Sequence, residues 1–150
     1  MTGYDQWINL GVDGETSRYV LSTMTQVLMY KPEKVIVIVG TNDVKGLYEA
    51  ESFANITKIC NILDAYGIPS IWANVHAYEG SVEYGVPAMT PDQVARVASL
   101  NSFMSSTIPS ANRTLKDFES WALSHLELIP DSCHPSTPEG YQALGQFVWS

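Results

Sequence analysis

The strongest constraint on the fold is an uninterrupted apolar run, VIVIV at residues 35–39, which Gly40 closes. Every residue in the run is β-branched, and β-branched side chains pack well on the pleated surface of a strand. Because no polar residue alternates with the apolar ones, the run predicts a strand that is buried on both faces, as strands of parallel sheets are.

The rest of the chain alternates short apolar runs with apolar residues at helical spacing. The other predicted strands are residues 7–10, 70–75 and 114–118. Helices are predicted from Asp13 or Thr16 to residue 30 and over residues 53–63, 91–103 and 138–148, whereas residues 123–129 are ambiguous. Strands that alternate with helices predict a parallel sheet covered on both faces. The expected fold class is therefore α/β, a flavodoxin-like three-layer α/β/α domain that takes in residues 1–150 as a single unit.

Composition and charge exclude several classes of function. The 150 residues are 45% hydrophobic, which is enough to form a core, and no apolar stretch is long enough to span a bilayer. The formal net charge is −8, and an acidic chain without a basic run repels a phosphate backbone, so no nucleic-acid partner is expected. Residues 1–6 lack the basic-then-apolar layout of a secretory signal. Because a signal can be removed from a mature protein, the sequence does not assign a compartment.

The two cysteines make neither a disulfide framework nor a zinc site. Cys60 lies in an apolar helical pattern and is expected to be buried, whereas Cys133 lies in a polar loop. The sequence predicts no metal and no cofactor.

Two polar segments, at residues 11–17 and 40–44, follow predicted strands, and a third, at residues 131–135, follows the ambiguous residues 123–129. In parallel sheets, ligands bind beyond the carboxyl ends of the strands, so these segments should lie together. Taken singly, each segment also fits a simpler explanation: a plain turn into a helix, a helix cap or an incidental histidine.

Each segment carries a residue that is suited to binding a ligand or to catalysis. Gly14, in a glycine-rich turn that leads into a helix, can direct a backbone N–H at a ligand. Asn42 follows the buried strand, where its amide can donate to a developing oxyanion. Asp131 lies three residues before His134, so its carboxylate can fix the imidazole tautomer and stabilise the imidazolium.

Together these segments resemble the SGNH (GDSL-type) hydrolase family, which is named for four blocks that contribute Ser, Gly, Asn and His. NLGVDGETS is similar to the glycine block, VIVIVGTNDV to the asparagine block and DSCHPSTPEGY to the last block. The resemblance covers the whole chain and implies an ester hydrolase, esterase or lipase-like. The resemblance also implies that His134 is the base, that Asp131 is its partner, and that Gly14 and Asn42 form the oxyanion hole. The implied substrates are small-molecule, lipid or acetylated-sugar esters.

The sequence departs from the family at the nucleophile. Family members begin with a strand that ends in Gly-Asp-Ser, and the residues before Asn9 contain no serine. Ser17 is expected to enter a helix and face away from the site. Ser132, Cys133 and Ser136 flank His134, and side chains so close on a loop are expected to diverge from the base.

The strand that carries the serine is usually central in the family, in the 2-1-3-4-5 order of flavodoxin-like sheets. An empty slot would leave unpaired backbone groups, each costing about 1–3 kcal/mol. Three resolutions are open. Residues 7–10 pair directly with residues 35–39; a partner chain or a dimer supplies a strand; or the polypeptide is one piece of a split enzyme.

Two other functions stay open. The first is a non-catalytic SGNH-like binding or structural module, such as a subunit of a larger assembly, which the missing serine motivates. The second is a flavodoxin-like domain that binds a phosphate or a cofactor, although this function leaves Asp131 and His134 without a role. In the loop after the third predicted strand, Tyr78 and Tyr84 are candidates for substrate contact, whereas Trp72 is expected to pack in the core.

Overall fold

The computed structural model describes residues 7–135 and 137–150. Its sheet contains three strands in the order β1-β2-β3. They are β1 (Val35–Ile38), β2 (Ser70–Ala73) and β3 (Arg113–Lys116). All are parallel, with Val37 opposite Trp72 and Trp72 opposite Leu115. The predicted α/β class with a parallel sheet is therefore confirmed.

Six α-helices and one 3₁₀ turn surround the sheet in the described part of the chain. They are α1 (Ser17–Met29), α2 (Asp43–Gly46), α3 (Glu49–Ala65), α4 (Pro91–Thr107), α5 (Phe118–Ser124), the 3₁₀ turn Leu126–Leu128 and α6 (Pro138–Trp149). Local sequence sets several starts. Thr90 and Gln93 form a capping box ahead of α4, and the Thr137 hydroxyl accepts the Gly140 N–H at the start of α6.

The core lies around β2, whose four residues are all buried, so this strand is covered on both faces. Trp72 is fully buried, as predicted, and its Nε1–H donates to Ser70 Oγ at 2.9 Å. The predicted burial of Cys60 is also confirmed, at 1% exposure. Helices α3 and α4 supply six further core side chains, which are Ile56, Ile59, Leu63, Val97, Leu100 and Met104.

Three expectations about the elements are wrong. Residues 7–10 form no strand; Trp7 is 61% exposed and packs its ring edge-on against Trp149 at 4.7 Å. The third strand ends at Lys116 because Asp117 caps α5, so the predicted end at Phe118 falls inside a helix. Burial of β1 on both faces fails at Ile38, which is 57% exposed, so the described residues leave one face uncovered at the carboxyl end of this strand.

Within the described residues, no helix is both long enough and apolar enough to cross a membrane.

Candidate active site

The glycine turn (residues 11–16) precedes α1 and is mostly exposed. Gly14 adopts φ 76°, a left-handed conformation in which a Cβ would be strained, and this geometry turns the chain toward α1. The carbonyl of Glu15 accepts a hydrogen bond from Asn42 Nδ2 at 3.1 Å. The glycine and asparagine blocks, 27 residues apart in sequence, therefore touch through the predicted donor Asn42.

The asparagine turn (residues 40–42) follows β1 and requires glycine at its first position. Gly40 has φ 129°, and a Cβ there would lie 2.5 Å from Val75 Cγ2 and 2.9 Å from Leu100 Cδ2. This close packing fixes the direction of the chain as it leaves the strand. Asn42 is partly buried and uses one amide proton on Glu15, which leaves its second N–H for another acceptor.

The histidine loop (residues 131–135) holds the predicted base and its partner in direct contact. Asp131 Oδ2 lies 2.7 Å from His134 Nδ1, and Asp131 Oδ1 accepts the backbone N–H groups of Cys133 at 2.9 Å and His134 at 2.6 Å. The Asp131 side chain is 13% exposed and the His134 side chain 61%. The buried carboxylate thus orients an imidazole whose far side is open.

The same contacts keep Asp131 ionised. Burial alone would raise the pKa of Asp131, but the hydrogen bonds from the His134 amide and ring and from the Cys133 amide outweigh it. The pKa is consequently held below its ordinary value. A carboxylate that stays charged at neutral pH can stabilise the imidazolium that forms when His134 takes up a proton.

Cys133 lies closer to the base than the sequence led us to expect. Its Sγ is 3.6 Å from His134 Nε2, so the prediction that these neighbouring side chains diverge is wrong. Asp131 accepts the backbone N–H of His134, so the loop makes a tight turn in which Ser132 has a positive φ of 58°. The turn brings the Cys133 and His134 side chains together. Burial raises the pKa of the Cys133 thiol to about 11, so it stays protonated at neutral pH.

Charged residues near the other two turns act on the histidine loop. Lys45, just after the asparagine turn, lowers the pKa of the Cys133 thiol, and Asp13, in the glycine turn, raises it. Cys133 packs against the core cluster that contains Val44 and Tyr78, and the Lys45 ammonium lies 4.9 Å from the centre of the Tyr78 ring. Direct hydrogen bonds join the glycine and asparagine segments, whereas the place of the histidine loop beside them stays a prediction.

The other candidate residues occupy varied positions. Tyr78 is only 4% exposed and packs with the core, whereas Tyr84 is 52% exposed on its loop. Ser17 begins α1 as predicted, and its side chain is fully buried, where Oγ accepts a hydrogen bond from Asn55 Nδ2. Ser132 Oγ is buried and has no hydrogen-bond partner among the described residues, and Ser136 lies outside them.

A surface cleft of about 530 Å³ opens beside α2, directly after Asn42. Its lining residues are Lys45, Gly46, Leu47, Tyr48, Glu49 and Arg96. A cleft of this size can take a small ligand. In the part of the chain that is described, no cluster of His, Cys, Asp and Glu side chains is arranged to hold a metal ion.

Sequence reasoning missed one part of the site, a buried polar group formed by Ser17, Asp43 and Asn55. Asp43 Oδ2 accepts the Ser17 N–H at 2.9 Å, and Asn55 Nδ2 donates to Ser17 Oγ at 3.1 Å. The available signal was Asn55, a polar residue adjacent to the apolar positions Ile56 and Ile59 of α3.

No protein-family model matches the chain, and no curated protein matches it significantly. Several solved structures do match the chain. A GDSL-like lipase from Bacteroides thetaiotaomicron superimposes with a TM-score of 0.79 at 22% identity, over 95% of this chain and 73% of the lipase. The esterase EstA from Pseudoalteromonas sp. gives a TM-score of 0.66 at 21% identity, over 95% and 75% of the two chains.

An acetylxylan esterase from Geobacillus stearothermophilus gives a TM-score of 0.67 at 19% identity, over 93% of this chain and 68% of the esterase. Catalytic mutants of that esterase replace a histidine or a serine by alanine. The chain thus has the α/β fold of GDSL-like lipases and esterases. At these identities the relation is one of fold.

Proposed function

We propose that the chain carries the histidine base, its carboxylate partner and the oxyanion donors of an ester hydrolase. The nucleophilic serine is on a strand that this sequence does not contain. The observation that carries the proposal is the Asp131–His134 pair, with 2.7 Å between Oδ2 and Nδ1. An imidazole so oriented presents Nε2 outward as a general base.

Each residue has one role in the proposed mechanism. His134 Nε2 takes the proton of the serine as its oxygen attacks the ester carbonyl, while Asp131 stabilises the imidazolium. The free N–H of Asn42 and the Gly14 N–H donate to the oxyanion. His134 then gives the proton to the leaving alcohol, which leaves the acyl group on the serine. In the second half His134 takes a proton from water as the water attacks the acyl carbonyl, and returns it to the serine oxygen as the acid leaves.

The open edge of β1 supports completion by another strand. The Val35 N–H donates to Pro69 O at 3.0 Å on the β2 side, and no described residue pairs with the opposite edge. Ile38 is 57% exposed there. An unpaired apolar edge is a template for a further strand, and a parallel one would bring its carboxyl end to the site.

The proposed substrates are small esters, including acyl esters of lipids and acetylated sugars. One fold neighbour is an acetylxylan esterase, and the cleft beside α2, which none of the four proposed site residues lines, has room for a sugar ring or a short acyl chain. Tyr84 is exposed on its loop and stays a candidate contact, whereas Tyr78 is buried in the core.

The test is hydrolysis of a short-chain p-nitrophenyl ester by the purified chain, alone and with a peptide that carries an apolar Gly-Asp-Ser strand. We expect turnover only with the peptide. His134→Ala should lower it roughly 1,000-fold or more. His125→Ala is the matched control, because His125 stacks on Trp121 in the α5 region and should leave the rate unchanged.

Two results would contradict the proposal. One is an absence of turnover when the peptide is shown by amide exchange to be bound. The other is turnover by the chain alone that Cys133→Ala abolishes, since the thiol 3.6 Å from His134 would then be the nucleophile.

The second candidate function is a non-catalytic binding or structural module. It is favoured by the position of the Cys133 thiol beside His134 Nε2, where the described residues place no serine hydroxyl. Labelling with a serine-directed fluorophosphonate discriminates. With the Gly-Asp-Ser peptide present, a module should leave the peptide serine unlabelled, whereas labelling of that serine that His134→Ala abolishes would exclude the module.

A further inference from the structure

The buried group Ser17–Asp43–Asn55 lies between the two turns that carry the oxyanion donors. Ser17 and Asp43 have no exposed surface, and Asn55 has 6%. Ser17 directly follows the glycine turn, and Asp43 directly follows Asn42. A bond between Ser17 and Asp43 therefore joins the two turns themselves.

Asp43 supplies the acceptor that the start of α1 lacks. As the first residue of α1, Ser17 has a backbone N–H without a partner inside the helix, and the Thr16 side chain does not cap it. The carboxylate of Asp43 takes this N–H at 2.9 Å from 26 residues away. In the described residues its other oxygen, Oδ1, has no partner, so Ser17 is the one group that this carboxylate holds.

Two further bonds act on the same two turns. Asn42 Nδ2 donates to the Glu15 carbonyl at 3.1 Å, and Asn55 on α3 donates to Ser17 Oγ at 3.1 Å. The first is exposed to water, whereas the Ser17–Asp43 bond is buried. A buried bond is the stronger restraint, because water does not compete with it.

From this geometry we infer that Asp43 is a positioning residue, which sets the spacing of the Gly14 N–H and the Asn42 amide by holding the Ser17 N–H. The inference rests on the proposed function. Oxyanion donors act on the transition state, so a shift in their spacing lowers kcat and leaves KM nearly unchanged.

The kinetic test uses the chain completed by the Gly-Asp-Ser strand. Asp43→Ala should lower kcat roughly 10- to 100-fold, with KM within about threefold. Asp43→Asn keeps an oxygen for the Ser17 N–H and should restore most of kcat. Asp117→Ala removes a carboxylate that accepts the Ser120 N–H at 3.1 Å near α5, and should leave kcat unchanged.

A second test measures exchange of the Ser17 amide proton by NMR in the chain alone. Because Asp43 is its acceptor, the amide should exchange at least tenfold faster in Asp43→Ala and stay protected in Asp43→Asn. If Asp43→Ala does not fold, Ser17→Pro removes the same N–H at a helix position that accepts proline, and should lower kcat equally.

Unchanged Ser17 protection in Asp43→Ala would overturn the inference, as would an unchanged kcat when that protection is lost. An absence of hydrolysis by the completed wild-type chain would count against the proposed function instead. The exchange measurement would then decide by itself whether Asp43 joins the turns.

Discussion

His134 shows how one loop combines a fixed orientation with access. One oxygen of Asp131 contacts the imidazole, and the other accepts two backbone N–H groups. The backbone bonds hold the carboxylate in the position from which it orients the ring. The three-residue spacing in the sequence predicted this pairing. It gave no sign of the backbone bonds, which depend on the positive φ of Ser132.

A second histidine, His76, makes stability depend on pH. It is 5% exposed, its Nδ1 has no hydrogen-bond partner in the described residues, and burial lowers its pKa. The folded protein keeps His76 neutral, whereas the unfolded chain takes up a proton as the pH falls below about 6.5. Stability should therefore be full above that pH and decrease below it.

The measurement is the urea midpoint at pH 7.5 and 5.5. The wild-type chain should lose more stability over this range than His76→Gln does, while His125→Gln should behave like the wild type. Equal losses in the wild type and His76→Gln would show that His76 is not the group responsible.

At the scale of elements, the asparagine turn depends on packing between β1 and its neighbours. The sequence predicted that Gly40 ends the strand. The structure adds two reasons why this residue is glycine. Its φ is positive, and a Cβ there would overlap the side chains of Val75 and Leu100. Glycine is therefore required both by φ and by space.

Gly40→Ala should destabilise the protein by about 2–4 kcal/mol, from backbone strain and overpacking together. Gly145→Ala is the matched control, because Gly145 lies inside α6 with open space around its Cα and should gain roughly 0.5–1 kcal/mol. Denaturant unfolding measures both. A loss at Gly40 no larger than about 0.5 kcal/mol would contradict the packing argument.

Element boundaries were less predictable than the elements. Helix α2 contains four residues, too few for a periodic pattern. Residues 7–10 have the composition of a strand, yet a strand needs a partner for its backbone, and the described chain provides none.

At the scale of the whole molecule, β1 has two unlike edges. Because the Val35 N–H faces β2, the parallel pattern turns the Val37 N–H the same way and the N–H groups of Ile36 and Ile38 outward. The described residues cover only the β2 side.

This asymmetry predicts alternating exchange of amide protons along β1. Ile36 and Ile38 should exchange much faster than Val35 and Val37, and the Gly-Asp-Ser peptide should protect them. NMR at two protein concentrations measures this. Protection of Ile36 and Ile38 without the peptide, increasing with concentration, would show that a second copy occupies the edge instead.

The sequence by itself determined the fold class, the buried positions of Trp72 and Cys60, and the pairing of Asp131 with His134. These follow from local periodicity, from strong β propensity and from a short spacing on one loop, all of which are written in neighbouring residues. The roles of Gly14, Asn42, Tyr78 and Tyr84 remain predictions.

Tertiary structure decided what depends on distant residues. The bond from Ser17 to Asp43, the approach of Cys133 to His134 and the burial of Tyr78 arise from packing. Residues 7–10 and 35–39 look alike as strands, but only the second finds a neighbour among the described residues. Strand pairing and buried hydrogen bonds need partners far along the chain, and a local pattern does not specify those partners.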